Sequence, residues 1–190
     1  MTTVDPSDRE LWDRAGRGDP GAFGALFDRH ARAVYNHCFR LTASWAAAED
    51  LTSTVFLVAW RKRGGADLSA GSLRPWLLGV ATNAARSEHR SVRRRRALLD
   101  RVPPSGDIAD HADEVAGRVD DERRMTEVLT EVARLPRGER DVLALCVWSG
   151  LSYAEAATAL GIAETSVRSR MSRARARLRG ALALQTEEIR

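Results

Sequence analysis

The sequence predicts an all-α protein made of two small helical domains joined by a flexible acidic linker. Apolar residues recur at spacings of three and four along most of the chain, as they do on one face of a helix. No stretch alternates apolar and polar residues in the manner of a half-buried strand. Between the two helical parts, Pro-Pro-Ser-Gly at residues 103–106 is followed by seven acids against one arginine in residues 107–122.

The first helical part begins with two local start signals. Residues 1–18 form a tail and a short helix, for which Ser7 and Glu10 supply a capping box. Asp19 and Pro20 then start a longer helix, because aspartate caps free amides and proline suits the first turn. The first domain therefore begins at residue 19.

Two further helices complete this domain, which we assign to residues 19–102. One helix is predicted at about residues 45–61, followed by a small polar loop at 64–71. The next has Pro75 in its first turn and continues into four consecutive arginines at 93–96. Because successive helical residues turn by about 100°, those arginines surround the helix.

The second domain is predicted at residues 120–184, after a linker at 103–119 and before a tail at 185–190. A helix starts near residue 120, and another covers about 139–148.

The end of this domain has the pattern of a helix-turn-helix. Ser152 and Glu155 form a capping box for a short helix, and Gly161 suits its C-terminus. Thr165 and Ser166 are candidate caps of a second helix. That helix has one apolar stripe and six arginines on its other faces: Arg168, Arg170, Arg173, Arg175, Arg177 and Arg179.

An arginine-faced second helix favours DNA binding, because a helix fits the major groove and guanidinium pairs with guanine and phosphate. The alternative is a helical hairpin with a solvated basic face. Charge distribution supports the first interpretation: residues 86–101 and 161–190 each contain seven arginines, and an acidic stretch separates them. Two contacts with a polyanion are therefore predicted.

Other functional classes find little support in the sequence. Cys38 and Cys146 lie on helical apolar patterns, which indicates reduced structural thiols. His30 and His37 are too few for a metal site and are interpreted as surface or packing residues. No membrane span or signal peptide is evident, so we expect a cytoplasmic protein. We also expect no cofactor and no catalysis of its own.

Two separated groups of motifs resemble the extracytoplasmic-function (ECF) group of bacterial sigma factors. GDPGAFGALFDRH, AAAEDLTSTVFLVAW and SLRPWLLGVATNAARSEHR resemble the second sigma domain. LPRGERDVLALCVWSGLSYAEAATALGIAETSVRSRMSRARARL resembles the fourth. The resemblance implies a factor that binds core RNA polymerase, recognises a promoter in two parts and helps to open it.

The resemblance also implies site residues. The recognition helix, which reads the minus-thirty-five element as duplex, would use Arg168, Ser169, Ser172 and Arg173, with Arg170 and Arg175 contacting phosphate or packing. The second domain, which captures the minus-ten element as a single strand, would use Trp76, Asn83, Arg86, Arg90, Arg93 and Arg94, and would cradle a flipped base in loop 64–72. For Trp76, core filling is the simpler interpretation.

Polymerase docking would use the exposed face of the third helix, with Asp50, Leu51, Ser53, Thr54 and Phe56.

The implied partners are core RNA polymerase, promoter DNA and an anti-sigma factor that covers the docking faces. The alternative function is a conventional helix-turn-helix regulator that binds duplex operators without polymerase. Association with polymerase distinguishes the two.

Overall fold

Helices form every regular element in the computed structural model, which describes residues 5–63, 71–99 and 114–188, with side chains for 5–63, 71–87 and 119–179. No strand occurs in these ranges, so the predicted all-α class is confirmed. The helices are α1 (Asp8–Gly16), α2 (Pro20–Thr42), α3 (Trp45–Arg61), α4 (Arg74–Leu99), α5 (Glu114–Ala133), α6 (Arg137–Leu143), α7 (Tyr153–Leu160) and α8 (Glu164–Glu188), with a π-helical turn at Ala144–Trp148.

The first helices begin where the local signals predict. The Ser7 side chain accepts a hydrogen bond from the Glu10 amide, and the Glu10 carboxylate accepts one from the Ser7 amide, which confirms the capping box. At the start of α2, Asp19 accepts from the Ala22 amide at 3.0 Å, with proline at the first helical position. These side chains satisfy amides that a helix start leaves free.

Helices α1 to α4 form one unit, and Asp8 ties its two ends together. The Asp8 carboxylate is buried and accepts hydrogen bonds from the Leu73 amide at 2.7 Å and the Ser72 hydroxyl at 2.9 Å. It also pairs with Arg29 and His30, both at 2.8 Å. A buried carboxylate needs such partners, and here they fix the start of α4 against α1 and α2.

The second unit differs from the prediction at both ends. Helix α5 starts at Glu114, so residues 114–119 are helical and not part of the linker; they contain no proline to prevent this. Helix α8 continues to Glu188, through most of the predicted tail. The predicted helix at 139–148 is α6 followed by the π-helical turn, where Ser149 N donates to Ala144 O at 3.1 Å.

The start of α8 also differs from the prediction. The amides of Ser166 and Val167 donate to the Ala163 carbonyl at 2.9 and 3.2 Å, so the first turn already contains Thr165 and Ser166. These two residues are therefore not caps. Glu164 begins the helix, where its negative charge favours the positive end of the helix dipole.

The two units pack against each other through α4 and α7. Their buried residues form one continuous apolar cluster, to which Leu77 and Leu78 of α4 and Ala156 and Ala157 of α7 belong. Gly79 allows the close approach, because a Cβ added there would lie 2.4 Å from the Ala159 carbonyl oxygen. The sequence did not predict how the two units are arranged.

The close contact at Gly79 predicts that a side chain added at this position destabilises the fold. We expect Gly79→Ala to lower the free energy of unfolding by about 1–3 kcal/mol, because the methyl group meets backbone that cannot move aside cheaply. Urea denaturation followed by circular dichroism measures this. Gly24→Ala is the matched control, since Gly24 is also inside a helix but has nothing within 4 Å of the added Cβ; it should be neutral or stabilising by about 0.5–1 kcal/mol. Equal effects of the two substitutions would contradict the close approach.

Candidate nucleic-acid interface

Helices α7 and α8 form the predicted helix-turn-helix. The Ser152 amide donates to Glu155 Oε2 at 2.8 Å, and the Glu155 amide donates to Ser152 Oγ at 3.2 Å. Gly161 ends α7 with a φ of 63°, a left-handed conformation that glycine adopts without strain. Both local predictions are confirmed, and together they set the angle at which α8 leaves the turn.

Helix α8 turns its polar residues to solvent. Val167, Met171 and Ala174 are buried, so the opposite faces of the helix are free to meet a ligand. Five of the six residues predicted for duplex recognition are exposed: Arg168, Ser169, Ser172, Arg173 and Arg175. The sixth, Arg170, is half-buried, and its guanidinium lies against Gly138, which fits the packing role considered for it.

Several contacts restrain the exposed arginines. Arg168 pairs with Glu164 at 3.0 Å, and its guanidinium lies 5.7 Å from the ring centre of Tyr153. Arg173 Nη1 donates to Ser169 Oγ at 2.8 Å. Arg173 and Arg177 also approach the carboxylate of Glu139 on α6, at 3.4 and 3.2 Å. Nothing in the local sequence pattern pointed to Glu139.

Helix α4 carries the residues predicted for the single strand. Trp76 is half-buried and packs on Trp12, with ring centres 5.8 Å apart, which fits core filling. Asn83 is exposed, and its Oδ1 accepts from Arg86 Nη1 at 2.8 Å. The side chains of Arg90, Arg93 and Arg94, and residues 64–70 of the loop, lie outside the described residues.

Arg86 is already paired within the protein. Its Nε donates to Asp141 Oδ1 at 3.1 Å, and its Nη2 pairs with Asp141 Oδ2. The Asp141 side chain is 9% exposed and belongs to α6 of the second unit. In this arrangement Asp141 occupies the guanidinium edge that a phosphate would use.

The predicted polymerase-docking residues separate into two groups. Asp50, Ser53 and Thr54 are exposed on α3. Leu51 and Phe56 are buried, at 6% and 5% exposure, and therefore do not belong to the exposed face. Two apolar side chains that the sequence analysis did not assign are exposed nearby: Leu57 at 55%, and Phe27 at 42%, which packs on Phe56 with ring centres 4.6 Å apart.

Both histidines of α2 are packing residues, as one of the two interpretations predicted. His30 binds Asp8. His37 is 1% exposed and lies at the contact between the units, 2.7 Å from Ser149 Oγ and 3.0 Å from Thr82 Oγ1. Burial, with the charges of Arg40 and Arg74, lowers the pKa of His37 to about 4, so its ring is neutral near pH 7.

The sequence matches the description "Sigma-70 region 2" over residues 26–96 and "Sigma-70, region 4" over residues 125–178. It is 31% identical over 181 residues to the RNA polymerase sigma factor NccH of Alcaligenes xylosoxydans, covering 92% of this chain and 95% of NccH. It is 32% identical over 171 residues to the ECF RNA polymerase sigma factor SigK of Mycolicibacterium vanbaalenii, covering 85% of this chain and 82% of SigK. The chain belongs to the ECF sigma factors.

Two solved structures are similar to this chain over most of its length. CnrH in complex with the cytosolic domain of CnrY is similar with a TM-score of 0.68 at 26% identity, covering 94% of this chain and 99% of that one. The sigma factor RpoE in complex with the anti-sigma factor NepR from Bartonella quintana is similar with a TM-score of 0.61 at 27% identity, covering 85% and 96%.

As an ECF sigma factor, the chain binds core RNA polymerase and directs transcription initiation from promoters. Region 2 covers most of α2, then α3 and most of α4, and region 4 covers α6, α7, much of α5 and the first part of α8. A duplex-binding regulator is not favoured, because region 2 accounts for the first unit. Within the described residues, no helix is long and apolar enough to cross a bilayer.

The buried histidine at the contact between the units predicts a pH dependence. Below its ordinary pKa of 6.5, His37 of the unfolded chain takes up a proton that the folded chain does not bind until about pH 4. Stability contributed by the neutral ring should therefore be complete at pH 7 and fall by about 3 kcal/mol by pH 4. Urea denaturation between pH 7.5 and 4 measures this, with pH values chosen around the two pKa values. His37→Gln should flatten the curve; a variant curve parallel to that of the wild type would rule out His37 as its source.

Proposed function

We propose that helix α8 reads the minus-thirty-five element of a promoter as duplex, while helix α4 captures the minus-ten element as a single strand. In this proposal, α2–α4 form the domain that binds polymerase and the strand, and α5–α8 form the duplex-reading domain. The observation that carries it is the exposed arginine and serine face of α8, set by a capped helix and a glycine turn. Such a helix fits the major groove.

On α8, we assign base-edge and adjacent phosphate contacts to Arg168, Ser169, Ser172 and Arg173. Their exposure supports this role, and arginine can pair bidentately with guanine. Arg175 is assigned to phosphate, which fixes register without reading sequence. For Arg170, its position against Gly138 favours packing at the base of the helix-turn-helix.

On α4, Asn83 is proposed to bind an unpaired base through its amide, and Arg86 a neighbouring phosphate. Trp76 would support this surface from the core. Arg90, Arg93 and Arg94 are proposed as further phosphate contacts from the resemblance alone. Because Arg86 is paired with Asp141, strand capture requires that this pair be broken.

Polymerase docking is proposed for the exposed face of α3 formed by Asp50, Ser53 and Thr54. Leu57 and Phe27 add apolar area to this surface, and large apolar side chains at the surface are typical of interfaces. Leu51 and Phe56 are proposed to support that surface from beneath.

We further propose that the chain works without catalysis of its own, as a specificity subunit that acts in the cytoplasm, where polymerase meets DNA. An anti-sigma factor is a proposed partner, because both similar structures described above are complexes with a second protein, and in one of them a sigma factor is bound to an anti-sigma factor.

The function is tested by run-off transcription from a promoter library with core polymerase and this chain. Specific transcripts are expected only when both are present, and DNA binding without initiation would overturn the proposal.

Arg173→Ala should weaken binding of a duplex that carries the minus-thirty-five element selected from that library. The expected loss is about 1–3 kcal/mol, measured by fluorescence anisotropy. Unchanged affinity would remove Arg173 from the reading surface.

The Arg86–Asp141 pair predicts a second result. Asp141→Asn should strengthen binding of a mixed-sequence single-stranded oligonucleotide to the free chain by about threefold to tenfold, because it releases Arg86 from a full negative charge. Fluorescence anisotropy at fixed salt measures this. Asp121→Asn is the charge-matched control, since Asp121 is an exposed acid on α5. Equal gains for both variants would show that net charge, and not release of Arg86, is responsible.

A further inference from the structure

Glu139 is a buried carboxylate that no step of promoter recognition yet uses. It lies on α6, and its side chain is only 6% exposed. Its Oε1 is 3.4 Å from Arg173 Nε, and its Oε2 is 3.2 Å from Arg177 Nε. Within the described residues Oε2 accepts no hydrogen bond, so its contact with Arg177 is charge pairing. Carboxylates are rarely buried without a cationic or hydrogen-bonding partner.

We propose that Glu139 is a positioning residue for sequence reading by α8. It holds the Nε side of the Arg173 guanidinium, so that the groups left free for DNA face outward in one orientation. The inference rests on the proposed role of Arg173 in reading the minus-thirty-five element. It assigns to α6, which lies outside the helix-turn-helix, a part in promoter specificity.

The geometry at Arg173 restrains two edges of one planar group. Nε faces Glu139 at 3.4 Å, and Nη1 donates to Ser169 Oγ at 2.8 Å. A guanidinium is rigid and planar, so contacts at two of its nitrogens restrain the direction of the remaining N–H groups. A group ordered before binding loses less conformational freedom when it binds. Arg173 is therefore preorganised for a bidentate contact.

Arg168 on the same helix shows what is distinctive about Glu139. Arg168 pairs with Glu164, one turn earlier in α8, and both side chains are well exposed, at 69% and 46%. Such a surface pair is weak and mobile. Glu139 instead comes from another helix and is buried, so the packing of α6 against α8 sets its position. Only Arg173 and Arg177 receive this support in the described part of α8.

A carboxylate behind a reading arginine should affect sequence discrimination and general affinity in opposite directions. It orients the arginine toward one base edge, which favours the matched sequence. Its negative charge also opposes attraction to phosphates, which act on every sequence alike. Loss of Glu139 should therefore reduce discrimination between sequences without weakening binding to DNA in general. A residue that only stabilises the fold would weaken both.

The experiment compares holoenzymes assembled from core polymerase and the full chain. Two duplexes serve as probes: one carries the upstream element selected from a random pool by wild-type holoenzyme, and the other carries that element scrambled. Glu139→Gln should reduce the ratio of the two affinities by about tenfold, with affinity for the scrambled duplex equal or higher. Glutamine keeps the shape of the side chain but removes the negative charge that pairs with both arginines. Glu139→Met, which removes the polar oxygens as well, should reduce the ratio further.

Two comparisons separate the possible outcomes. Glu131→Gln removes a carboxylate of α5 that pairs with Arg134 and should leave the ratio unchanged. In the Arg173→Ala background, Glu139→Gln should have no further effect on the ratio, because a positioning residue acts through the residue it holds. Parallel losses on both duplexes, or an unchanged ratio in Glu139→Gln, would overturn the inference. An unchanged ratio in Arg173→Ala alone would instead overturn the proposed reading role of Arg173.

Discussion

Two almost fully buried carboxylates on the short helix α6 constrain the arrangement of the chain. Glu139 and Asp141 are two residues apart, so they leave the helix in directions that differ by about 200°. Burial of a carboxylate is strongly unfavourable without a cationic partner. Glu139 therefore requires the arginines of α8, and Asp141 requires Arg86 of α4. Two arginines proposed to bind DNA, Arg86 and Arg173, thus also offset the burial of these carboxylates.

The contact between the units depends on hydrogen bonds that involve no carboxylate as well as on this ion pair. His37 bridges Thr82 of α4 and Ser149 of the second unit, and Arg74 donates to the Ser149 carbonyl at 2.6 Å. Apolar packing of α4 on α7 surrounds these groups. Because the ring of His37 is buried and uncharged, it contributes specificity of packing and not net charge. The contact is therefore less sensitive to salt than an ion pair alone would be.

Local signals in the sequence predicted much of the fold, and distant partners account for what they missed. The capping boxes at Ser7 and Ser152 join residues three positions apart, so the sequence displays both members together. Arg86 and Asp141 are 55 positions apart, and nothing in the sequence pairs them. The resemblance placed Leu51 and Phe56 in the docking motif, and only the packing of α3 shows that both side chains are buried. The exposed side chains of α8 agree with the arginine-bearing faces that the apolar periodicity predicted.

The proposed strand capture by α4 is then an exchange of partners. A guanidinium binds carboxylate and phosphate through the same forked geometry, so replacement of Asp141 by a phosphate exchanges one charge-assisted contact for another. DNA offers no substitute, however, for the neutral contacts of His37 or for the apolar packing at Gly79. Binding of a promoter strand alone therefore recovers little of the free energy that is lost when the two units separate. Binding energy from a second surface is required, and the exposed face of α3 that we assign to polymerase docking can supply it. In this view polymerase binding opens the sigma factor, and DNA then occupies the arginines that the opening releases.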